Sequence, residues 1–215
     1  MSRSQVRILS RSQLNNINMA RQNLLIIDNF YNDAEQVREM ALKQDFCVRG
    51  NYPGQRTVPM TNDSVKQLIA NAIRPMAGEI NYWPTEDQSY NGAFQYTTQR
   101  DRSWIHADHT TTWAAVCYLT PDAPITGGTG LFRHKETGLF SAPRLANGQM
   151  DDEWMKEIYK DSQDMTKWDL VDFVGNKFNR LVIYRGDLFH TSMDYFGRDI
   201  YDGRLFQTFF FSTEK

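Results

Sequence analysis

Residues Trp104 to Gly130 read WIHADHTTTWAAVCYLTPDAPITGGTG, and this stretch decides the fold. Its centre, TTWAAVCYL, is rich in strand-favouring Thr, Trp, Val and Tyr and ends at a Thr-Pro-Asp turn signal. Working outward, the same texture recurs from Ala93 onward in AFQYTT, SWIHAD, GTGLFRH, NRLVIY and GRLFQTFFFS, with Gly, Asp, Asn and Pro between the runs. Short strands at this spacing indicate an all-β sandwich or barrel. The N-terminal third reads differently. LLIID, Leu24 to Asp28, is a buried strand, and Asn32 or Asp33 then caps a helix whose Ala34, Val37, Ala41 and Leu42 share a face. A second helix is expected from Thr61 to Asp63 onward, with Val65, Leu68, Ile69, Ala72 and Ile73 as its stripe and Pro75 ending or kinking it. The expected class is therefore α+β, mainly β: a double-stranded β-helix (jelly-roll) barrel with the N-terminal helices packed on one face.

With 215 residues, 40% hydrophobic and 13% aromatic, the chain can bury one substantial core, so a single domain over residues 1–215 is expected. A formal net charge of -2 gives no general reason for nucleic acid or an anionic membrane as partner, and no apolar run approaches a bilayer span. Cys47 and Cys117 are too few for a disulfide framework, and Cys117 falls in a hydrophobic run as a free buried thiol would. A reducing, cytoplasmic setting follows. Residues 1–23 form a possible arm containing Arg3, Arg7, Arg11 and Arg21; it matches a transit peptide only loosely, and VRILS reads as a short strand or packed segment. Between about 150 and 173 lies MDDEWMKEIYKDSQDMTKWDLVDF, with eight acidic residues against three lysines. It reads as a solvated helical face or as a lid, in which Trp154, Tyr159 and Trp168 supply contact area and the acids favour a cationic substrate.

Side chains two apart on a strand point the same way, so His106 and Asp108 aim an imidazole and a carboxylate at one place. The chain has four histidines; besides His106 and His109 these are His134 and His190. His190 is the better third ligand, because a hydrophobic strand and a turn at Arg185 to Asp187 return it to the same end of the barrel. Two imidazoles and a carboxylate on one octahedral face leave three positions open, the arrangement of non-haem Fe(II) oxygenases. Arg204 follows fourteen residues later on a strand face shared with Phe206, Thr208 and Phe210. A guanidinium among aromatics needs an anion, and a ligand carboxylate is the economical partner. His109 reads as a structural neighbour of the metal pair, and His134 with Arg133 as a surface loop pair. Gly127, Gly128 and Gly130 read as a tight hairpin rather than a phosphate loop.

His106-x-Asp108, the distal His190 and Arg204 resemble the Fe(II)/2-oxoglutarate-dependent dioxygenases. LLIIDNFYNDAEQVREMALKQDF is similar to the opening of their prolyl-hydroxylase-like branch. The runs WIHADHTTTWAAVCYLTPDAPITGGTGLFRH, NRLVIYRGDLFHTSMDYFG and DGRLFQTFFF resemble a group of such proteins in bacteria and their viruses. The resemblance implies a metal site of His106, Asp108 and His190 holding Fe(II), with O2 and 2-oxoglutarate as co-substrates. It places the C1 carboxylate and C2 keto oxygen of 2-oxoglutarate on iron and the C5 carboxylate on Arg204. Tyr96 and Thr208 are its implied further hydrogen-bonding partners; packing alone would also account for both. Hydroxylation of an unactivated C–H bond in an amino acid, peptide or small metabolite is the implied reaction, with nucleic acid less favoured. Two other classes fit the residues: a jelly-roll metal-dependent isomerase or hydrolase without 2-oxoglutarate, and a non-catalytic binding module. Arg204 argues against the first, and the four residues together against the second.

Overall fold

β-Branched and aromatic runs become strands wherever a neighbouring run can take up their backbone hydrogen bonds. A computed structural model of the chain describes residues 22–214 except 51, 87, 88, 146 and 148, so Arg3 to Arg21 of the possible arm lie outside the described residues. The elements are β1 (Leu24–Asp28), α1 (Ala34–Leu42), β2 (Gln55–Arg56), α2 (Asp63–Ala77), β3 (Ile80–Tyr82), β4 (Phe94–Thr97), β5 (Trp113–Tyr118), β6 (Thr129–His134), α3 (Asp152–Tyr159), β7 (Trp168–Val174), β8 (Arg180–Arg185), β9 (His190–Ser192) and β10 (Arg204–Thr213). The larger sheet has seven strands in the order β1-β8-β5-β10-β4-β2, with β3 added on β10; the smaller runs β7-β6-β9. All pairings are antiparallel.

The alternation along β10 organises the interior. Leu205, Phe209 and Phe211 enter a cluster that also contains Ala34 and Ala41 of α1, Ile69 and Ile73 of α2, and Trp113, Ala115 and Cys117 of β5. Phe206 belongs instead to a cluster with Ala114, Val116 and Tyr118 from β5, Val182 and Tyr184 from β8, and Leu131 and Val174 from the smaller sheet. One strand thus seals the helix side with odd residues and presents even ones, Arg204 and Thr208 among them, to the space between the sheets. Each fully buried Ile or Phe on the helix side contributes roughly 1.5–3 kcal/mol relative to exposure. Both helices start where expected: Asp33 Oδ1 accepts from Gln36 N at 2.9 Å, and Asn62 Oδ1 from Val65 N at 3.0 Å. Burial pushes the Cys117 thiol far up, so it remains a protonated, packed side chain.

Several expectations change. Pro75 does not end α2 at once: the helix continues to Ala77, although the missing N–H removes the bond that residue 75 would have given to Asn71 O. SWIHAD is not a strand: it is an extended segment touching the smaller sheet through one bridge, His106 to His190. The 150–173 stretch is not all insertion, since from Trp168 it forms β7, paired with β6. Before it, α3 buries Met155 and Ile158 in a cluster with Ile105, Phe132, Trp168 and Phe189. Among the described residues no helix is long and apolar enough to cross a membrane.

Candidate active site

The bridge at His106 carries the site. His106 N donates to His190 O at 3.0 Å and His190 N returns the bond to His106 O at 2.8 Å, which brings the two rings to a centroid separation of 4.4 Å. Asp108 is fixed in turn by its own N–H, which donates to Gly186 O at 2.7 Å. Gly186 must be small: a Cβ there would lie 3.1 Å from Thr111 O and 3.2 Å from Asp108 Cβ. As a result, one ligand atom each from His106, Asp108 and His190 lies within 4.8 Å of the others.

Both rings are oriented by their backbone partners. His106 Nδ1 lies 3.0 Å from Trp104 O and His190 Nδ1 lies 2.8 Å from Leu188 O. A carbonyl can only accept, so each Nδ1 carries a proton, and in the neutral form of each ring the lone pair falls on Nε2. His190 Nε2 stands 3.6 Å from Asp108 Oδ2. Burial, together with the neighbouring His106 ring, lowers the His190 pKa to about 4, so this imidazole is neutral at physiological pH. Two imidazole nitrogens and a carboxylate oxygen form a donor set suited to a divalent transition metal.

These side chains line one cavity of about 690 Å3 between the sheets, large enough for a co-substrate and part of a substrate. Arg204 lines it too, only 1% exposed. Its Nε donates to Gly127 O at 2.8 Å, and its guanidinium carbon lies 4.3 Å from the Phe206 ring centroid and 5.2 Å from that of Tyr118. Nη1 is buried with no hydrogen-bond acceptor among the described residues. Thr208 also faces the cavity, but its hydroxyl donates to the carbonyls of Tyr90 and Ala93 at 3.2 and 3.3 Å and has no second proton to offer.

Tyr96 is placed elsewhere. It lies on the helix-side face of β4, against the first core cluster and 5.2 Å edge-on from Phe46, because Phe94 and Tyr96 share that face while Gln95 points to the cavity. Among the tyrosines that line the cavity, Tyr184 has its ring centroid 4.7 Å from that of His190. Burial, with Asp108 and Tyr118 adding to it, holds Tyr184 well above its ordinary pKa, so it is a neutral donor. The sequence marked Tyr184 only as part of a hydrophobic run. His109 is exposed and lines the cavity beside Asp108, as an irregular segment permits and a strand would not. His134 is neither ligand nor surface loop: it ends β6, is 3% exposed, and lies between Thr137 Oγ1 at 3.0 Å and Asp161 Oδ2 at 3.1 Å. Of the acidic stretch only Tyr159 lines the cavity; its hydroxyl accepts from Ala107 N at 3.2 Å. Trp168 is buried and Trp154 is half exposed. Arg56, Gln95, Tyr52 and Tyr90 line the cavity with no sequence signal to mark them.

A family profile matches residues 10–211, and its description is a family of unknown function, DUF6445. The chain belongs to this family. No curated protein matches the DUF6445 sequence described here. Among solved structures, it is similar to HygX from Streptomyces hygroscopicus with nickel and 2-oxoglutarate bound, at a TM-score of 0.60 and 14% identity over 96% of this chain and 88% of that one. The same protein with iron bound gives a TM-score of 0.55 at 13% identity, over 96% and 88% of the two chains. The non-heme alpha ketoglutarate dependent carbocyclase SnoK from nogalamycin biosynthesis gives 0.56 at 11% identity, covering 95% of this chain and 84% of its own. The corresponding epimerase SnoN gives 0.52 at 14%, covering 87% and 77%. At such identities what the DUF6445 chain shares with them is the fold.

Proposed function

We propose that this DUF6445 protein is a one-domain Fe(II)- and 2-oxoglutarate-dependent oxygenase. The observation that carries the reading is Arg204: a buried guanidinium with an unpartnered Nη1, opening on the same cavity as a two-histidine, one-carboxylate cluster. A metal site alone would not require it. A co-substrate with a remote carboxylate would, because only an anion offsets the cost of burying that charge.

His106 Nε2, His190 Nε2 and an Asp108 oxygen would hold Fe(II), their orientation set by the Trp104, Leu188 and Gly186 carbonyls. The residues fit the ion: the two imidazoles can each offer Nε2, their Nδ1 being held by backbone carbonyls, and the carboxylate matches a hard divalent cation. Arg204 would take the distal carboxylate of 2-oxoglutarate, with the Tyr184 phenol as a neutral donor in the same cavity. Bound Fe(II), 2-oxoglutarate and O2 would together supply the oxidising power to break a C–H bond, the co-substrate leaving as succinate and carbon dioxide. The chain's own residues then orient and shield: Val116 and Phe206 give the cavity apolar walls, and Tyr159 ties α3 to Ala107 at its rim.

Hydroxylation is the direct outcome of such chemistry. HygX, SnoK and SnoN support the cofactor choice; since SnoK is a carbocyclase and SnoN an epimerase, hydroxylation is proposed as one of the outcomes this fold hosts. The test is succinate formation from 2-oxoglutarate by purified protein supplied with Fe(II) and O2. Wild type is expected to form succinate and Asp108→Ala is not; equal, background-level traces from both would remove the reading.

A further inference from the structure

The cavity holds a second buried cation that the oxygenase reading does not use. Arg56, on β2, is 7% exposed and lines the cavity with the metal-ligand cluster. Among the described residues no carboxylate lies within 4.0 Å of its guanidinium: the groups it contacts are Tyr52, Tyr90 and Gln95, and Asp108 acts on it only through space. The plane stacks 3.7 Å from the Tyr52 ring centroid and 4.7 Å from that of Tyr90, and those two rings meet edge-to-face at 5.3 Å. Gln95, directly opposite in the β2–β4 ladder, receives both Nε, at 2.8 Å, and Nη2 on its Oε1. Gln95 is itself fixed, since its Nε2 donates to Pro53 O at 2.6 Å. Gly54, at φ +75, lets this turn close on β4: a Cβ would lie 2.0 Å from Tyr96 O.

A guanidinium has five N–H donors. Gln95 occupies the Nε–Nη2 edge and leaves the Nη1–Nη2 edge, the fork that matches a carboxylate with two parallel bonds. Stacking and the Gln95 clamp hold this fork in advance, which lowers the entropic cost of binding. Burial lowers the Arg56 pKa to about 10, still far above neutrality, so the group is charged when a ligand arrives. Charge bookkeeping in the cavity leads to the same place. Fe(II) with Asp108, and 2-oxoglutarate with Arg204, would cancel as a set and leave Arg56 without an ion-pair partner among the described residues. Glu86, at the cavity edge, is exposed and accepts from Thr85 N at 3.1 Å.

We propose that Arg56 anchors a carboxylate of the primary substrate, so the protein acts on an acid held by the Nη1–Nη2 fork between Tyr52 and Tyr90. The choice of reaction rests on the oxygenase reading; the anion site rests on Arg56 itself. The acidic stretch does not oppose it, because its carboxylates stay outside the cavity lining.

Acetate and phenylacetate, each against its amide, serve as probes in calorimetric titrations of the full chain. Wild type is expected to bind phenylacetate at least ten-fold more tightly than phenylacetamide. Arg204→Gln, which removes the other buried guanidinium of the cavity, should keep the preference, and adding Arg56→Gln to it should reduce the acid to the level of the amide. Should Arg56→Gln fail to fold, Arg56→Lys, which keeps the charge and loses the planar fork, must still weaken the acid several-fold. No preference for either acid in wild type, a preference that Arg56→Gln does not abolish or Arg56→Lys does not weaken in the Arg204→Gln protein, or one lost in Arg204→Gln alone would overturn the proposal. 2-Oxoglutarate is titrated in parallel: a wild type that holds phenylacetate through Arg56 but does not bind 2-oxoglutarate refutes the oxygenase reading and leaves the acid site in place.

Discussion

A buried guanidinium is destabilising until an anion meets it, so Arg204 is the residue whose replacement tells most about ligand chemistry. A bidentate arginine–carboxylate pair in a dry pocket contributes roughly 2–5 kcal/mol by truncation, so Arg204→Ala should raise the half-saturating 2-oxoglutarate concentration roughly 30-fold or more. Arg204→Lys should fall between, having the charge without the fork. The measurement is succinate yield across a 2-oxoglutarate titration, and an unchanged half-saturation in Arg204→Ala would make Arg204 a packing residue. His106, Asp108, His190 and Arg204 were legible because their types are informative and each sits beside a strong strand signal. Tyr96 was not, since an amphipathic residue on a strand of four residues leaves the face undecided: the register Leu205 to Tyr96 puts it with Leu205 on the helix side. Arg56 was hidden for another reason. β2 is two residues long, and its partner Gln95 is 39 positions away, a pairing no local pattern announces.

At the level of elements, the turn between β8 and β9 and the segment before β5 hold the site jointly. Gly186→Ala should shift Asp108, because its Cβ would crowd Thr111 O at 3.1 Å and Asp108 Cβ at 3.2 Å, and a neighbour must give by a few tenths of an ångström. Fe(II) affinity, followed by metal titration, is expected to fall roughly 10-fold or more, as when other ligand-orienting contacts are disturbed; unchanged affinity would mean Asp108 does not depend on this contact. For α3 the expected outcome is asymmetric. Ile158→Ala should destabilise by about 2–5 kcal/mol through cavity formation, whereas Trp154→Ala, on the exposed face, should stay within about 0.5 kcal/mol. Urea unfolding reads both, and similar values for the two would show that α3 is not anchored as described. The acidic composition of 150–173 concealed β7 because its exposed side chains, among them Leu170, Val171 and Phe173, break the alternation that marks a half-buried strand. SWIHAD misled in the opposite sense: its alternation serves a single bridge and two ligands rather than a ladder.

For the whole molecule, the buried His190 links metal-free stability to pH. Its folded pKa, about 4, lies below the ordinary 6.5, so on acidification the unfolded chain takes up a proton that the folded chain refuses. The contribution is complete above about pH 6.5 and is lost as the pH falls toward 4, on the order of 3 kcal/mol at most at about 1.4 kcal/mol per unit. Urea midpoints of metal-free protein at pH 7 and pH 5 should therefore differ, and His190→Gln should flatten the dependence; an equal slope in both would assign it to other groups. The mainly β class was readable because β10 and its neighbours are dense in aromatic and β-branched residues that supply apolar side chains to two separate clusters. The division into a seven-stranded and a three-stranded sheet was not, since strand order follows from long-range pairing rather than from local pattern. The account rests on one centre that binds metal and a 2-oxo acid together, and anaerobic titration of wild type, His106→Ala and Asp108→Ala with Fe(II) and 2-oxoglutarate tests it most directly. Wild type should develop the weak visible charge-transfer band of an iron-chelated 2-oxo acid, saturating at about one iron per chain, and both variants should lack it. A band that persists undiminished in the two variants, or a wild type that never develops one at saturating Fe(II) and 2-oxoglutarate, would contradict the account.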